Sequence, residues 1–113
     1  TEAFPDGGVI LNAQNEILNY NMAARVLLDL KLRGDRGQRI ENLLRHPDFI
    51  DYLRNPGDRP AVEIPSPTGG DTWLSCRLIP YGPEQTLLLI RDISQRVKIE
   101  RVRRDHGLPG YAG

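Results

Sequence analysis

Cysteine occurs once in these 113 residues, at Cys76, tryptophan once and histidine twice. A lone cysteine excludes an internal disulfide and a multi-cysteine metal site. It suits a reducing compartment. Charge of one sign is also missing: 15 Lys and Arg balance 15 Asp and Glu. No overall field therefore draws the chain to nucleic acid or to an anionic membrane surface. Long apolar runs are absent. The longest is Leu87-Leu88-Leu89-Ile90, far below the roughly 20 residues that cross a bilayer. Thr1 to Gly8 has neither a basic start nor an apolar core, so no signal peptide is expected there.

Catalytic groupings are lacking too. His46 and His106 stand in unrelated contexts, and His46, directly before Pro47, reads as a helix cap or a surface residue. Cys76 lies on an alternating strand with no histidine beside it, which suits a buried structural cysteine. Gly7-Gly8 and Gly69-Gly70 lack the spacing and the lysine of a phosphate loop and read as turns. No catalytic, cofactor-binding or metal-ligating residue is assigned, and an enzyme is the least favoured class.

What remains is a one-domain pattern. Val9-Ile10-Leu11 and Ile17-Leu18-Asn19-Tyr20 read as strands joined by the turn Asn12-Ala13-Gln14-Asn15. Asn21 is a good N-cap for a helix from Met22 to Asp29. Gly34-Asp35-Arg36-Gly37 is a loop. Ile40, Leu43 and Leu44 have the spacing of a short amphipathic helix. A second short helix is expected from Pro47, with Phe49, Ile50 and Leu53 inward. Three strands follow: Val62 to Ile64, Thr72 to Tyr81, and Thr86 to Asp92, the last so apolar that a central place is expected. On the middle one, Leu74, Cys76 and Leu78 should face one side and Ser75 and Arg77 the other. Leu74, Cys76, Leu78, Phe49 and Ile50 would either line a small ligand cavity between sheet and helices or fill that space themselves. The expected class is α+β, an antiparallel five-stranded sheet with helices on one face.

The end of the chain is different in kind. Ser94 would cap a helix leaving the last strand. Asp92, two residues before it, would fix the junction by a hydrogen bond or ion pair, with Arg77 one conceivable partner. From Gln95 to Asp105 five cations face two anions, and Gln95, Ile99, Val102 and His106 follow coiled-coil spacing. Only Ile99 and Val102 are apolar, too few to hold a coil. The segment therefore reads as the start of a longer helix. A nucleic-acid arm would want interleaved aromatics, and none is there. The expected division is a domain at 1–94, a helix root at 95–105 and an extraneous or divergent tail at 106–113.

Two elements, in this order, resemble a PAS domain. Asn21-Met22-Ala23-Ala24 is similar to the Asn-x-x-Ala start of the first PAS helix. Arg91-Asp92-Ile93-Ser94 is similar to the Asp-x-Thr/Ser element that closes PAS domains. A narrower resemblance, over roughly residues 4 to 105, is to the PAS domain of phosphate-regulon (PhoR-like) sensor histidine kinases. Gly37 to Phe49, Glu63 to Pro67, Arg77 to Gly82 and Leu87 to Ile93 carry it. The resemblance implies strand order 2-1-5-4-3. It implies a non-catalytic sensory or interaction module, on the cytoplasmic side of an inner-membrane kinase that other parts of the parent chain anchor. It implies a homodimer, a kinase core downstream in the same chain and a PhoU-like regulator, with Asp92, Ile93, Ser94, Ile99 and Val102 as the relay junction. The Ser-His-Glu-Leu-Arg box expected after Asp105 in that family is replaced by His106-Gly107-Leu108-Pro109. Direct binding of a small ligand is the alternative. Some PAS domains hold haem or flavin, but Cys76 is not in the flavin context and His46 is poorly placed for haem.

Overall fold

The computed structural model describes residues 6–30 and 36–107, the last four of these as backbone only. Strands β1 (Gly7–Leu11) and β2 (Ile17–Tyr20) form a hairpin. Its turn is held by Asn12, whose Oδ1 accepts from the N–H groups of Gln14 and Glu16, each at 2.9 Å. The outer edge of β2 is not left bare: Ile17 N–H donates to Gln38 O and Gly37 N–H to Ile17 O, both at 2.8 Å. Pairing of that kind blunts an edge that would otherwise template aggregation.

Helix α1 (Met22–Leu28) begins where expected. The Asn21 carboxamide oxygen accepts from Ala24 N–H and from Gly8 N–H, each at 2.9 Å, so one cap also holds the first strand. The helix stops one residue sooner than expected. Asp29 turns into the left-handed region (φ 55°), and Leu30 N–H reaches back to Arg25 O at 2.9 Å. Leu30 is buried by that reversal. Residues 31–35, most of the expected loop, lie outside the described residues.

The expected helix at Ile40 is a single 3-10 turn, Ile40–Asn42. Its three apolar side chains still pack inward, with Ile40 and Leu44 buried and Leu43 partly so. Periodicity places side chains but not the number of turns, and the two helix signals lie too close for both to run. Helix α2 (Pro47–Arg54) has Pro47 at its first position and His46 at its cap. Here the inward set differs: Ile50 is half-exposed, while Tyr52 is buried beside Phe49 and Leu53. Tyr52 can go inside because its hydroxyl is satisfied. It accepts from Leu78 N–H and donates to Pro60 O, both at 3.1 Å. The Leu78 amide lies beyond the last residue pair between β3 (Val62–Pro65) and β4 (Trp73–Pro80), so the phenol takes over where the neighbouring strand runs out.

With β5 (Thr86–Asp92), the sheet has the order β2-β1-β5-β4-β3, all antiparallel. The apolar run sits at the centre, as expected. Leu88 and Ile90 are fully buried, and Leu87 and Leu89 line the opposite face half-buried. Leu74 and Cys76 are fully buried, Leu78 partly so, and Arg77 is exposed. The helical face closes over Val9, Leu11, Ala24, Phe49, Leu74 and Cys76, all at 0% exposure. Of the residues expected to line a cavity there, Phe49, Leu74 and Cys76 pack within this one apolar cluster.

A strand-to-helix junction as the candidate functional site

Helix α3 (Ser94–Gly107) leaves the end of β5 after one linking residue. It runs two residues beyond Asp105, so His106 and Gly107, read from sequence as tail, belong to the helix backbone. Residues 108–113 lie outside the described residues.

The junction is built from two short hydrogen-bonded steps. Opposite Asp92 on β4 stands Leu74, the last regular pair of the ladder. One residue on, Ile93 N–H donates to Trp73 O at 2.9 Å. Trp73 N–H in turn donates to the Ser94 hydroxyl oxygen at 2.8 Å. A side-chain oxygen thus replaces a strand carbonyl, and the ladder reaches into the first residue of the helix. The Ser94 hydroxyl donates its own proton to Asp92 Oδ1 at 2.6 Å, and Ser94 N–H donates to the same oxygen at 2.9 Å. Ser94 therefore does not cap the helix. The cap oxygen is Asp92's, and Ile93, whose carbonyl accepts from Val97 N–H at 3.0 Å, occupies the cap position. A carboxylate there also complements the positive end of the helix.

The register removes Arg77 as a partner for Asp92. Arg77 stands opposite Leu89, three residues away along β5. Two other ion pairs brace the region. Arg91 makes two 3.1 Å bonds to Asp6, which raise its pKa and keep it charged. Arg96, on the first turns of α3, pairs with Glu63 on β3. Arg91 and both members of the Arg96 pair are about half-exposed or more, so solvent screens the two interactions. The Arg96 pair matters for direction, because it ties α3 to a second strand.

Of the expected site residues, the structure brings together Asp92, Ile93 and Ser94. Ile93 is buried, at 8% exposure. Ile99 and Val102 lie farther along α3 and are 46% and 51% exposed, an apolar pair facing solvent. Sequence reasoning missed Trp73 and Glu63, since their parts depend on register and on the path of α3. Elsewhere, His46 does cap α2, its Nδ1 accepting from Asp48 N–H at 3.1 Å. Burial pushes the Cys76 thiol up to about 12, which leaves almost no thiolate at neutral pH. Among the described residues no group of three His, Cys, Asp or Glu could hold a metal ion, and no helix is long and apolar enough to cross a membrane.

No family model matches the chain. Its sequence is similar to the phosphate regulon sensor protein PhoR of Pseudomonas aeruginosa, at 35% identity over 105 residues. That match takes in 93% of this chain but 24% of PhoR, so the chain spans about a quarter of its relative. The fold is similar to the photoactive yellow protein domain of the sensor histidine kinase Ppr from Rhodospirillum centenum. There the TM-score is 0.57 at 15% identity, over 79% of this chain and 86% of that one. It is also similar to a PAS domain from Colwellia psychrerythraea, with a TM-score of 0.53 at 21% identity, over 80% and 88% of the two chains.

Proposed function

We propose that this chain, a PAS domain similar in sequence to part of PhoR, is the signal-input module of a phosphate-regulon sensor histidine kinase. It has no catalytic part of its own in this reading. Residues 1–94 are the sensory body and the segment from 95 is the root of the output helix, leading to a kinase core in the same chain. The parent kinase is a homodimer anchored in the inner membrane, with this domain on the cytoplasmic side and a PhoU-like regulator among its partners.

One observation carries the reading: the hydrogen-bonded ladder of β4 ends on the first residue of α3. Any shift of β4 or β5 is then passed to the helix at its root. Rigid coupling at the root, with Ile99 and Val102 free to meet a dimer mate, suits an element with two arrangements. Ser94→Pro tests it. Proline is tolerated in a first helical turn, but this change removes both the hydroxyl and the N–H that make the junction. In the intact kinase it should uncouple the balance of kinase and phosphatase activity from phosphate, while the isolated domain stays folded. Normal phosphate-dependent signalling in that variant would sink the relay. The rival reading, direct sensing of a small ligand, predicts a co-purified mass in native mass spectrometry or an absorption band that the polypeptide alone does not have.

A further inference from the structure

Beside the junction, an open wedge of about 600 Å3 separates α3 from the connection between β3 and β4. One wall is Asp71, Thr72 and Trp73, and the helix side includes Val97, Lys98, Arg101 and Val102. Its apex is the Trp73–Ser94 hydrogen bond. The wedge has an apolar interior and, on its helix side, a basic rim facing the exposed Asp71. Trp73 and Val97 are half-buried, while Lys98 and Arg101 are exposed and make no ion pair among the described residues. Arg96, by contrast, is already engaged with Glu63.

We propose that this wedge takes an acidic segment of a partner protein, with an apolar side chain against Trp73 and Val97 and carboxylates on Lys98 and Arg101. Exposed cations rimming an apolar cleft are complementary to an amphipathic acidic segment. A second copy of α3 suits the wedge poorly. It would bring Arg96, Lys98, Arg101 and Arg103 against cations of the same kind. Nucleic acid suits it less well than an acidic peptide, since the chain is neutral overall and the cleft interior is apolar. An occupant at the apex would set the angle at which α3 leaves the sheet. That consequence, though not the binding itself, rests on the relay reading above.

Trp73 is the chain's one tryptophan, so its emission reports occupancy directly. The probe is an amphipathic peptide of roughly 12 residues built from Glu and Leu. Controls are the same peptide with Lys for Glu and a single-stranded oligonucleotide of similar length. The acidic peptide should give a saturable shift of Trp73 emission that weakens with salt. Its affinity should exceed that of the lysine peptide by about tenfold or more. Lys98→Glu combined with Arg101→Glu should reverse the preference, and because both side chains are exposed the circular dichroism spectrum should not change. The proposal is overturned by no saturable shift, by equal affinity for the two peptides, or by an unaltered preference in the double variant. Tighter binding of the oligonucleotide, or a shift that tracks self-association in sedimentation, overturns it as well. Loss of binding with Ser94→Pro still uncoupling the kinase removes the wedge alone. Intact binding with normal signalling in Ser94→Pro removes the relay alone.

Discussion

Gly7 is glycine because Ala24 stands where a side chain would go. A Cβ at Gly7 would lie 2.9 Å from the Ala24 Cα, inside any real contact distance, and the obstacle is backbone that cannot swing away. Gly7→Ala should therefore cost about 1–3 kcal/mol, the usual range for overpacking. Urea unfolding should show a lower midpoint with an unchanged slope. Cys76 is a second test at this scale. Its thiol titrates near 12 in the folded chain, against about 8.5 when exposed. Between those values the folded state keeps a proton that the unfolded state has lost. The contribution of this thiol is thus complete below about pH 8.5 and is lost as pH rises toward the folded value. Cys76→Ala should lower stability at neutral pH and flatten the alkaline fall, read as unfolding midpoints from pH 7 to 10. The buried place of Cys76 was legible in the alternation of its strand. The demand for glycine at position 7 was not, because it comes from a helix some 17 positions later in the chain.

Elements differ in how openly their sequences declare them. Strands β2 and β5 and helix α2 begin and end where turn residues, proline and alternation put them. The 3-10 turn at Ile40 and the outward Ile50 escaped, since spacing alone cannot count turns or choose which of two neighbouring side chains a core will accept. Tyr52 goes inside because an unpaired strand amide waits for its hydroxyl, and that amide is invisible until the strands are paired. The junction of β5 and α3 follows the same rule. Asp92 and Ser94 were legible as a connected pair, but the direction of their bonds and the part of Trp73 were not. Ser94→Ala should cost about 1 kcal/mol through loss of the Trp73 bond. Hydrogen exchange at the Trp73 and Ile93 amides should speed up well before the central pairs of β5 respond. Equal protection in both proteins would show that the hydroxyl carries no load.

Across the molecule, the sheet is the fixed body and α3 is the part that leaves it. Its two exposed apolar residues, Ile99 and Val102, are one heptad's worth of seam. Dimerisation of the 113-residue chain through them should be weak. Ile99→Glu with Val102→Glu should abolish whatever concentration-dependent self-association light scattering detects, without altering the thermal midpoint of the sheet. A dimer that survives this double change must use another face.

The order of elements, the central place of Leu87 to Asp92, the cap at Asn21, the helix start at Pro47 and the departure of a charged helix after Asp92 were all determined by local chemistry. They depend on periodicity, capping and turn residues, which act over a few positions. Tertiary structure alone decided which residues meet across the sheet. Register set Asp92 opposite Leu74 and away from Arg77, put Trp73 under Ser94 and brought Glu63 to Arg96. The last two of these join positions 21 and 33 residues apart. They follow from how the strands slide to bury one common face, which no short stretch of sequence can state.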